Sequence, residues 1–201
     1  MTAPALTEDD RHFMRVALSL SKRGLGNVWP NPAVGCVLVS PGGVVVGRGH
    51  TRPGGRPHAE RVALDIAGSL AKGATAYVTL EPCSHFGKSP PCASGLIDAG
   101  VSRVVSALED PDARVSGRGH QMLRDAGISV DVGLLGDEAR RLNEGFLSRV
   151  ERHRPFVTLK LASTLDARSA TAHGESQWIT GTEARAQGHL LRANHDAILV
   201  G

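Results

Sequence analysis

The amino-acid sequence predicts an α/β protein: a three-layer domain with a largely parallel sheet, followed by the opening of a second domain. The first observation is an alternation of short β-rich apolar runs with segments whose apolar residues recur at helical spacing. The second is composition, because 41% hydrophobic and 21% charged residues among 201 are typical of a globular protein. The third is that the alternation begins again after residue 152.

The first helix is predicted from the signals at its two ends. Thr7 can act as the N-cap, and the acidic residues 8–10 bring negative charge to the first turn, where the helix dipole favours it. Apolar residues then recur at helical spacing until Gly24, a residue that commonly follows the last turn of a helix. We therefore expect an amphipathic helix that ends near residue 24.

The following segments alternate between strand and helix patterns. β-branched residues mark the strands, and Gly or Pro marks the boundaries between elements. Residues 58–71 form a predicted helix whose apolar stripe runs through Val62, Ile66 and Leu70. In order, the predicted elements are strands 33–39 and 44–46 joined by the turn 41–43, helix 58–71, strand 74–80, loop 81–91, helix 92–99, strand 103–108, helix 117–126, strand 128–132 and helix 136–150.

The remaining residues have the pattern of an incomplete domain. Strands are predicted at 156–162 and 197–200, with a helix at 182–193 between them. One strand–helix–strand unit cannot bury both faces of a sheet, because a lone pair of strands is marginally stable. We therefore divide the chain into a domain at 1–152 and the opening of a second domain at 153–201.

Composition and charge argue against several classes of protein. Aromatic residues are scarce (4 Phe, 2 Trp and 1 Tyr) and the net charge is only +3, which argues against a nucleic-acid partner. No apolar stretch approaches the ~20 residues of a membrane span, and the acidic N-terminal segment does not resemble a secretory signal. The 3 cysteines cannot form a disulfide framework without leaving one unpaired, and a reducing compartment suits them better, so we expect a cytoplasmic protein with no membrane partner.

Three fragments carry the chemistry: His58-Ala59-Glu60, Pro82-Cys83 and Cys92. One imidazole and two thiolates are good zinc ligands, and three protein ligands leave a fourth tetrahedral position for a water that ionises near neutral pH. Glu60, at a predicted helix start, can take a proton from this water and hand it to leaving ammonia. The conjunction is the signature of zinc nucleobase deaminases, although eight residues, Ser84 to Pro91, separate the cysteines in place of the usual Cys-x-x-Cys.

Taken alone, these residues leave alternatives open. His50 or His85 can close the metal shell as a fourth ligand, which would make the site a structural, catalytically silent zinc module. A nucleoside or nucleic-acid base deaminase is a second alternative, but it requires aromatic stacking and a basic groove that the sequence does not offer. Cys36, inside a predicted strand, is expected to be a buried core residue.

The spacing of the two cysteines resembles that of one family, the bifunctional riboflavin-biosynthesis deaminase/reductases. The similar string is Glu81-Pro82-Cys83-Ser84-His85-Phe86-Gly87-Lys88-Ser89-Pro90-Pro91-Cys92. Further similar strings are Pro30-Asn31-Pro32-Ala33-Val34-Gly35, Gly49-His50, Glu109-Asp110-Pro111, Gly117-Arg118-Gly119, Lys160-Leu161-Ala162, Leu165-Asp166 and Gly174-Glu175-Ser176-Gln177-Trp178-Ile179-Thr180. The resemblance extends from about Asp10 to the end of the chain.

The resemblance implies a cytidine-deaminase-like domain followed by the start of a dihydrofolate-reductase-like domain. The first would remove the exocyclic amine from a diaminohydroxy-phosphoribosylamino-pyrimidine, and the second would use NADPH to reduce the ribose of the aminouracil product. By the same resemblance, zinc is bound by His58, Cys83 and Cys92, and Glu60 shuttles protons. The pyrimidine and phosphate pocket of the deaminase is expected to include Asn31, His50, His85, Lys88 and Asp110.

In the second segment the resemblance implies a cofactor site and a substrate site. Ala162 and Trp178 would contact the nicotinamide cofactor, while Ser176 and Arg192 would contact the reductase substrate. No glycine-rich phosphate loop occurs in this segment, so we expect no reductase activity from these residues alone.

Two positions depart from the pattern of the family. Ala167 replaces a usual Gly, which could tighten a turn near the cofactor if the position requires a positive φ. Asp112 replaces a common Asn and adds a charge near the deaminase pocket. Because family members assemble, we also expect a homo-oligomer.

Overall fold

The computed structural model describes residues 6–87, 90–112 and 116–200. The chain divides into two compact units, Met1–Pro155 and Phe156–Gly201, and each is described by itself. Of the candidate site residues, Lys88 lies outside the described residues. No helix in the described ranges is long and apolar enough to cross a membrane.

The first unit is built on a mixed five-stranded sheet. Its strands are β1 (Gly35–Val39), β2 (Val45–His50), β3 (Thr75–Val78), β4 (Arg103–Ser106) and β5 (Ser129–Val132). They lie in the order β2-β1-β3-β4-β5. β1 is antiparallel to both of its neighbours, whereas β3, β4 and β5 are parallel. The prediction of a largely parallel sheet is therefore wrong, because the β1–β2 hairpin adds an antiparallel half.

Six α-helices cover this sheet in the described part of the first unit: α1 (Glu8–Ser21), α2 (Ala59–Ala67), α3 (Cys92–Asp98), α4 (Arg118–Asp125), α5 (Gly136–Leu142) and α6 (Glu144–Arg152). α1 begins as predicted. The Thr7 hydroxyl accepts the Asp10 backbone N–H at 3.1 Å, and the Thr7 N–H donates to the Asp10 carboxylate at 2.8 Å. This capping box satisfies donors that the first turn leaves unpaired.

The predicted three layers are confirmed by two separate apolar clusters, one on each face of the sheet. Alternate strand residues point to opposite faces, so Val37 and Val105 pack with α1 and α5, while Leu38 and Val104 pack with α2, α3 and α4. Cys36 is fully buried in the cluster that contains Leu38 and Val104, as expected. The sheet therefore holds α2 and α3, which begin at the proposed metal ligands, on the same face.

The buried face of α2 differs from the predicted one. Val62 is buried, but Ile66 and Leu70 are 58% and 62% exposed, so the predicted apolar stripe is wrong. The helix instead buries three small residues, Ala59, Ala63 and Ala67.

Close packing between α2 and β2 is the physical reason. A Cβ on Gly47 would lie 2.2 Å from the Ala63 carbonyl oxygen, and one on Gly49 would lie 2.3 Å from the Ala59 carbonyl oxygen. Only glycine on the strand and small residues on the helix allow this approach. The start of α2 is thereby fixed at the end of the hairpin.

The prediction of one helix at 136–150 is wrong, because two helices, α5 and α6, occupy this region and meet at Asn143. This side chain is buried, and its carboxamide makes two hydrogen bonds to the backbone of Ala33. It accepts the Ala33 N–H at 2.9 Å and donates to the Ala33 carbonyl oxygen at 2.9 Å. These contacts fix the break and hold α6 beside residues 30–33.

The second unit contains the predicted helix, α7 (Thr182–Ala193). The predicted strands 156–162 and 197–200 are wrong, since neither has a hydrogen-bonded strand partner within the described residues 156–200. A strand exists only through pairing, and both segments are almost entirely exposed. Ala167 adopts a φ of 62°, so this position does require a positive φ, where glycine carries no Cβ penalty.

Candidate active site

Three elements bring the predicted metal ligands together. His58 is the N-cap residue of α2, Cys83 lies on the loop after β3, and Cys92 is the first residue of α3. The His58 Nδ1 atom lies 3.3 Å from the Cys92 sulfur and 3.7 Å from the Cys83 sulfur. All three potential ligand atoms lie within 4.8 Å of one another. Among the described residues, neither His50 nor His85 joins this group.

The electrostatics of this group suit a metal ion. A side-chain hydrogen bond from Cys92 lowers the pKa of Cys83 to about 4, against the opposing effect of burial, and His58 adds to the lowering. The Cys92 backbone N–H also donates to the Cys83 sulfur at 3.3 Å. The same side-chain hydrogen bond with Cys83, together with burial, raises the pKa of Cys92, so only one of the two thiols is acidic without a metal. The hydrogen bond with Cys83 also raises the pKa of His58. One imidazole nitrogen beside two sulfurs, one of them readily ionised, is a donor set that fits Zn²⁺.

Glu60 lies in the first turn of α2 and is 4% exposed. Burial raises its pKa to about 7, and the charge of Cys83 adds to the rise, while His58 opposes it. The Cys92 side chain hydrogen-bonds to this carboxyl group, so Glu60 is adjacent to the ligand cluster. A carboxyl group that titrates near neutral pH can both accept and donate a proton.

The ligand cluster opens into a cavity of about 290 Å³. Its lining includes Asn31, His85 and Asp110 among the predicted substrate residues. His50 ends β2, where it pairs with Gly35, and it is not among the lining residues. The full lining is Pro30, Asn31, Pro32, Val34, Thr51, Arg56, His58, Glu60, Leu80, Glu81, Cys83, His85, Asp110, Asp112, Phe146 and Arg149.

Asn31 connects the potential metal ligand His58 to the cavity wall. Its Nδ2 atom donates to the Gly55 carbonyl oxygen at 2.7 Å and lies 3.3 Å from the His58 Nε2 atom. The opposite ring nitrogen of His58 faces the sulfurs, so Asn31 helps to fix the orientation of the imidazole ring.

Asp110 brings a buried carboxyl group to the cavity. Burial raises its pKa to about 6, although the Asp112 N–H donates to its Oδ1 atom at 2.9 Å and opposes the rise. Asp112 also lines the cavity. The departure from the more common Asn at this position therefore adds a carboxyl group to the cavity lining, as the sequence indicates.

Glu81 organises the site, although the sequence pattern predicts no role for it. Its buried carboxylate accepts four backbone N–H groups, those of Asp110, Gly117, Gly119 and His120, at 2.8–3.2 Å. α4 has no side-chain cap of its own, so Glu81 takes that place. A Cβ on Gly119 would lie 1.9 Å from the Pro82 carbonyl oxygen, which explains this glycine. The only sequence feature that could have indicated this role is the position of Glu81 directly before Pro82-Cys83.

Arg56 and Arg149 also line the cavity and were absent from the sequence-based candidates. Residue spacing gives no signal for either, because both reach the cavity through the fold of the chain; Arg149, for example, contacts Pro30, 119 positions away in the sequence. The four residues proposed for the reductase lie on the second unit. Ser176, Trp178 and Arg192 are exposed there and Ala162 is half-buried, so their roles stay predictions.

Residues 7–108 match the family model described as the cytidine and deoxycytidylate deaminase zinc-binding region, and residues 155–201 match the RibD C-terminal domain. The riboflavin biosynthesis protein RibD of Haemophilus influenzae is 54% identical over 193 residues, which are 96% of this chain and 52% of that protein. RibD of Acinetobacter baumannii gives a TM-score of 0.84 at 49% identity, over 93% of this chain and 52% of that one.

A further solved structure, from Thermotoga maritima, is a diaminohydroxyphosphoribosylaminopyrimidine deaminase/5-amino-6-(5-phosphoribosylamino)uracil reductase. It gives a TM-score of 0.86 at 43% identity, over 92% of this chain and 53% of that one. The chain therefore spans about half the length of the relatives it matches.

Proposed function

Because the chain belongs to the cytidine and deoxycytidylate deaminase zinc-binding family and is a homologue of the RibD riboflavin biosynthesis proteins, we propose that its first unit is a zinc-dependent pyrimidine deaminase. The proposed substrate is the diaminohydroxyphosphoribosylaminopyrimidine named for the Thermotoga relative. One observation carries the proposal: His58, Cys83 and Cys92 form a compact ligand cluster beside the buried carboxyl group of Glu60.

In this proposal His58, Cys83 and Cys92 hold zinc, and the metal supplies Lewis-acid activation of water when bound. As water adds to the amine-bearing ring carbon, the Glu60 carboxylate accepts one of its protons. Glu60 then delivers this proton to the exocyclic amine, the carbon–nitrogen bond breaks and ammonia leaves, and the ring carbon keeps the oxygen as a hydroxyl group that tautomerises to the ring carbonyl. The position of Glu60 supports this role, because the buried carboxyl group lies in the first turn of α2, two residues after His58, and it also lines the cavity.

The cavity supports a small-molecule substrate. Its volume of about 290 Å³ and its mixture of carboxyl, imidazole and amide groups suit a single pyrimidine ring with polar substituents. Asn31 and Asp110 offer hydrogen bonds to ring edges, and His85 offers a further polar contact at the exposed side. Lys88 remains the proposed phosphate contact from the resemblance.

The function is tested by ammonia release from the phosphoribosylated diaminopyrimidine, with zinc content measured on the same samples. We expect Glu60→Gln to lower kcat by about 10²- to 10⁴-fold, because it removes the proton carrier, while zinc remains bound. Glu138→Gln, which changes an exposed glutamate on α5, serves as the matched control and should keep full activity. Bound zinc without turnover in the unmodified protein would contradict the proposal and point to a structural site.

We further propose that residues 1–152 are the deaminase domain and residues 153–201 are the N-terminal portion of an NADPH-dependent reductase domain. The match of residues 155–201 to the RibD C-terminal domain supports this division. Ala162 and Trp178 are the proposed cofactor contacts, and Ser176 and Arg192 the proposed substrate contacts. A homo-oligomer in the reducing cytoplasm is also proposed, and that compartment suits the three free cysteines.

A further inference from the structure

Helix α6 forms one wall of the deaminase cavity. Asn143, directly before this helix, holds both backbone groups of Ala33 and so fixes the helix beside the segment 30–33. Phe146 and Arg149 lie three residues apart on α6, which puts them on the same face of the helix. Both line the cavity. A helix outside the zinc-ligand region thus contributes an arginine to the site.

Two contacts position the guanidinium group of Arg149. Its Nη2 atom donates to the Pro30 carbonyl oxygen at 2.8 Å, and its Cζ atom lies 5.4 Å from the centroid of the Phe146 ring. A guanidinium group has five N–H donors, and the bond to Pro30 uses one of them. The side chain is exposed, so the positive charge remains available to a ligand at the mouth of the cavity.

Arg56 adds a second guanidinium group from the loop before α2. It lines the same cavity, and its Nη2 atom would lie 3.4 Å from a Cβ on Gly87, so the side chain reaches the loop that follows Cys83. Burial separates these arginines from the carboxyl groups of the cavity. Glu60 and Asp110 are 4% and 7% exposed, whereas Arg149 is exposed and Arg56 half-buried. The lining thus combines buried carboxyl groups with two more exposed guanidinium groups, and the half-buried Asp112 adds one carboxyl group that a bound anion must avoid.

We propose that Arg149 and Arg56 form an anion-binding rim that holds the phosphate of the substrate and sets a preference for phosphorylated pyrimidines. The inference rests on the proposed deaminase function, since the substrate must place its amine near Glu60. The planar fork of an arginine matches two phosphate oxygens, so two such groups can hold a dianion in one orientation. The ring would then enter the depth of the cavity with its phosphate at the rim.

The first test compares KM for the phosphorylated substrate with KM for its dephosphorylated ribosylamino counterpart. We expect Arg149→Gln to raise KM for the phosphorylated substrate about tenfold or more, because it removes a charge-assisted hydrogen bond. The KM for the dephosphorylated compound should rise much less, so the ratio of the KM for the phosphorylated substrate to that for the dephosphorylated one should increase several-fold. Arg152→Gln, an exposed change on the same helix outside the cavity lining, should alter neither. Equal effects on both substrates would overturn the proposal.

The second test does not depend on turnover. The zinc-loaded chain is titrated calorimetrically with ribose 5-phosphate and, separately, with ribose. We expect ribose 5-phosphate to bind, ribose not to bind, and binding to weaken about tenfold in Arg149→Gln but not in Arg152→Gln. Binding that is absent, or unchanged in Arg149→Gln, overturns the rim even if the protein releases ammonia. Binding as expected without ammonia release supports the rim and contradicts the proposed deaminase reaction.

Discussion

Asp10 is a single buried side chain that joins three parts of the first unit. It closes the capping box of α1. Its carboxylate also accepts a hydrogen bond from the Tyr77 hydroxyl at 2.8 Å and one from Arg103 Nη1 at 2.7 Å. Burial alone would raise the pKa of Asp10, but hydrogen bonds from Arg103, Thr7 and Tyr77 together lower it to about 2. The ionised carboxylate is therefore stabilised more in the folded than in the unfolded chain.

This shift predicts an acid-dependent contribution to stability. Because the folded-state pKa lies below the ordinary 3.8, the contribution is fully present above about pH 4 and is lost as the pH falls toward 2. We expect the free energy of unfolding to fall by roughly 2 kcal/mol more in the unmodified protein than in Asp10→Asn over this range. Urea unfolding curves between pH 5 and pH 2 measure the difference. Parallel pH profiles for the two proteins would contradict this account of Asp10.

Residue chemistry also explains which parts of the site could be predicted from sequence. His58, Glu60, Cys83 and Cys92 are recognisable because metal ligation and proton transfer require particular residue types at limited spacings. The role of Glu81 depends on backbone N–H groups from residues 110–120, which become its neighbours only in the folded chain. A linear pattern of residue types does not encode that proximity.

At the scale of elements, α2 carries His58 and Glu60, and its position depends on glycines in β2. We expect Gly49→Ala to lower the free energy of unfolding by about 3 kcal/mol, because the new methyl group overlaps the Ala59 carbonyl group and forces the helix outward. The same displacement should lower zinc content, since His58 is the N-cap of this helix. Chemical denaturation and metal analysis provide the two measurements.

Gly145→Ala is the matched control for this substitution. A Cβ at Gly145, in α6, meets no atom within 4 Å, so the change should be neutral or slightly stabilising. Equal destabilisation by the two substitutions would mean that close packing at Gly49 does not position α2.

The elements that the sequence predicts incorrectly are those decided by contacts with distant parts of the chain. The existence and order of the elements in the first unit follow from hydrophobic periodicity and from Gly and Pro at their boundaries. The buried face of α2 does not, because glycines on β2 favour alanine over larger apolar residues at the contact. The break at Asn143 results from a tertiary hydrogen bond to Ala33, and the expected strands at 156–162 and 197–200 have no partner within the described residues of their unit.

At the scale of the whole molecule, the two units are expected to differ in activity. The first contains a cluster of three potential metal ligands, a buried glutamate beside it and a cavity, whereas residues 156–200 contain one α-helix and no paired strand among the described residues. We expect the chain to release ammonia from the pyrimidine substrate but not to oxidise NADPH in the presence of the deaminated product. The decrease of NADPH absorbance with time measures the second reaction. Oxidation that depends on the product would show that these residues suffice for reduction.

The contact between Asn143 and Ala33 has a consequence for the order in which the site is completed. The two residues are 110 positions apart, and every zinc-ligand candidate precedes Asn143 in the sequence. During synthesis from the N-terminus, the ligands emerge first and can gather while the wall formed by α6 has yet to leave the ribosome. The ligand candidates are therefore synthesised before the helix that completes the cavity wall, so a chain shortened before Asn143 would keep every ligand candidate and lose that wall.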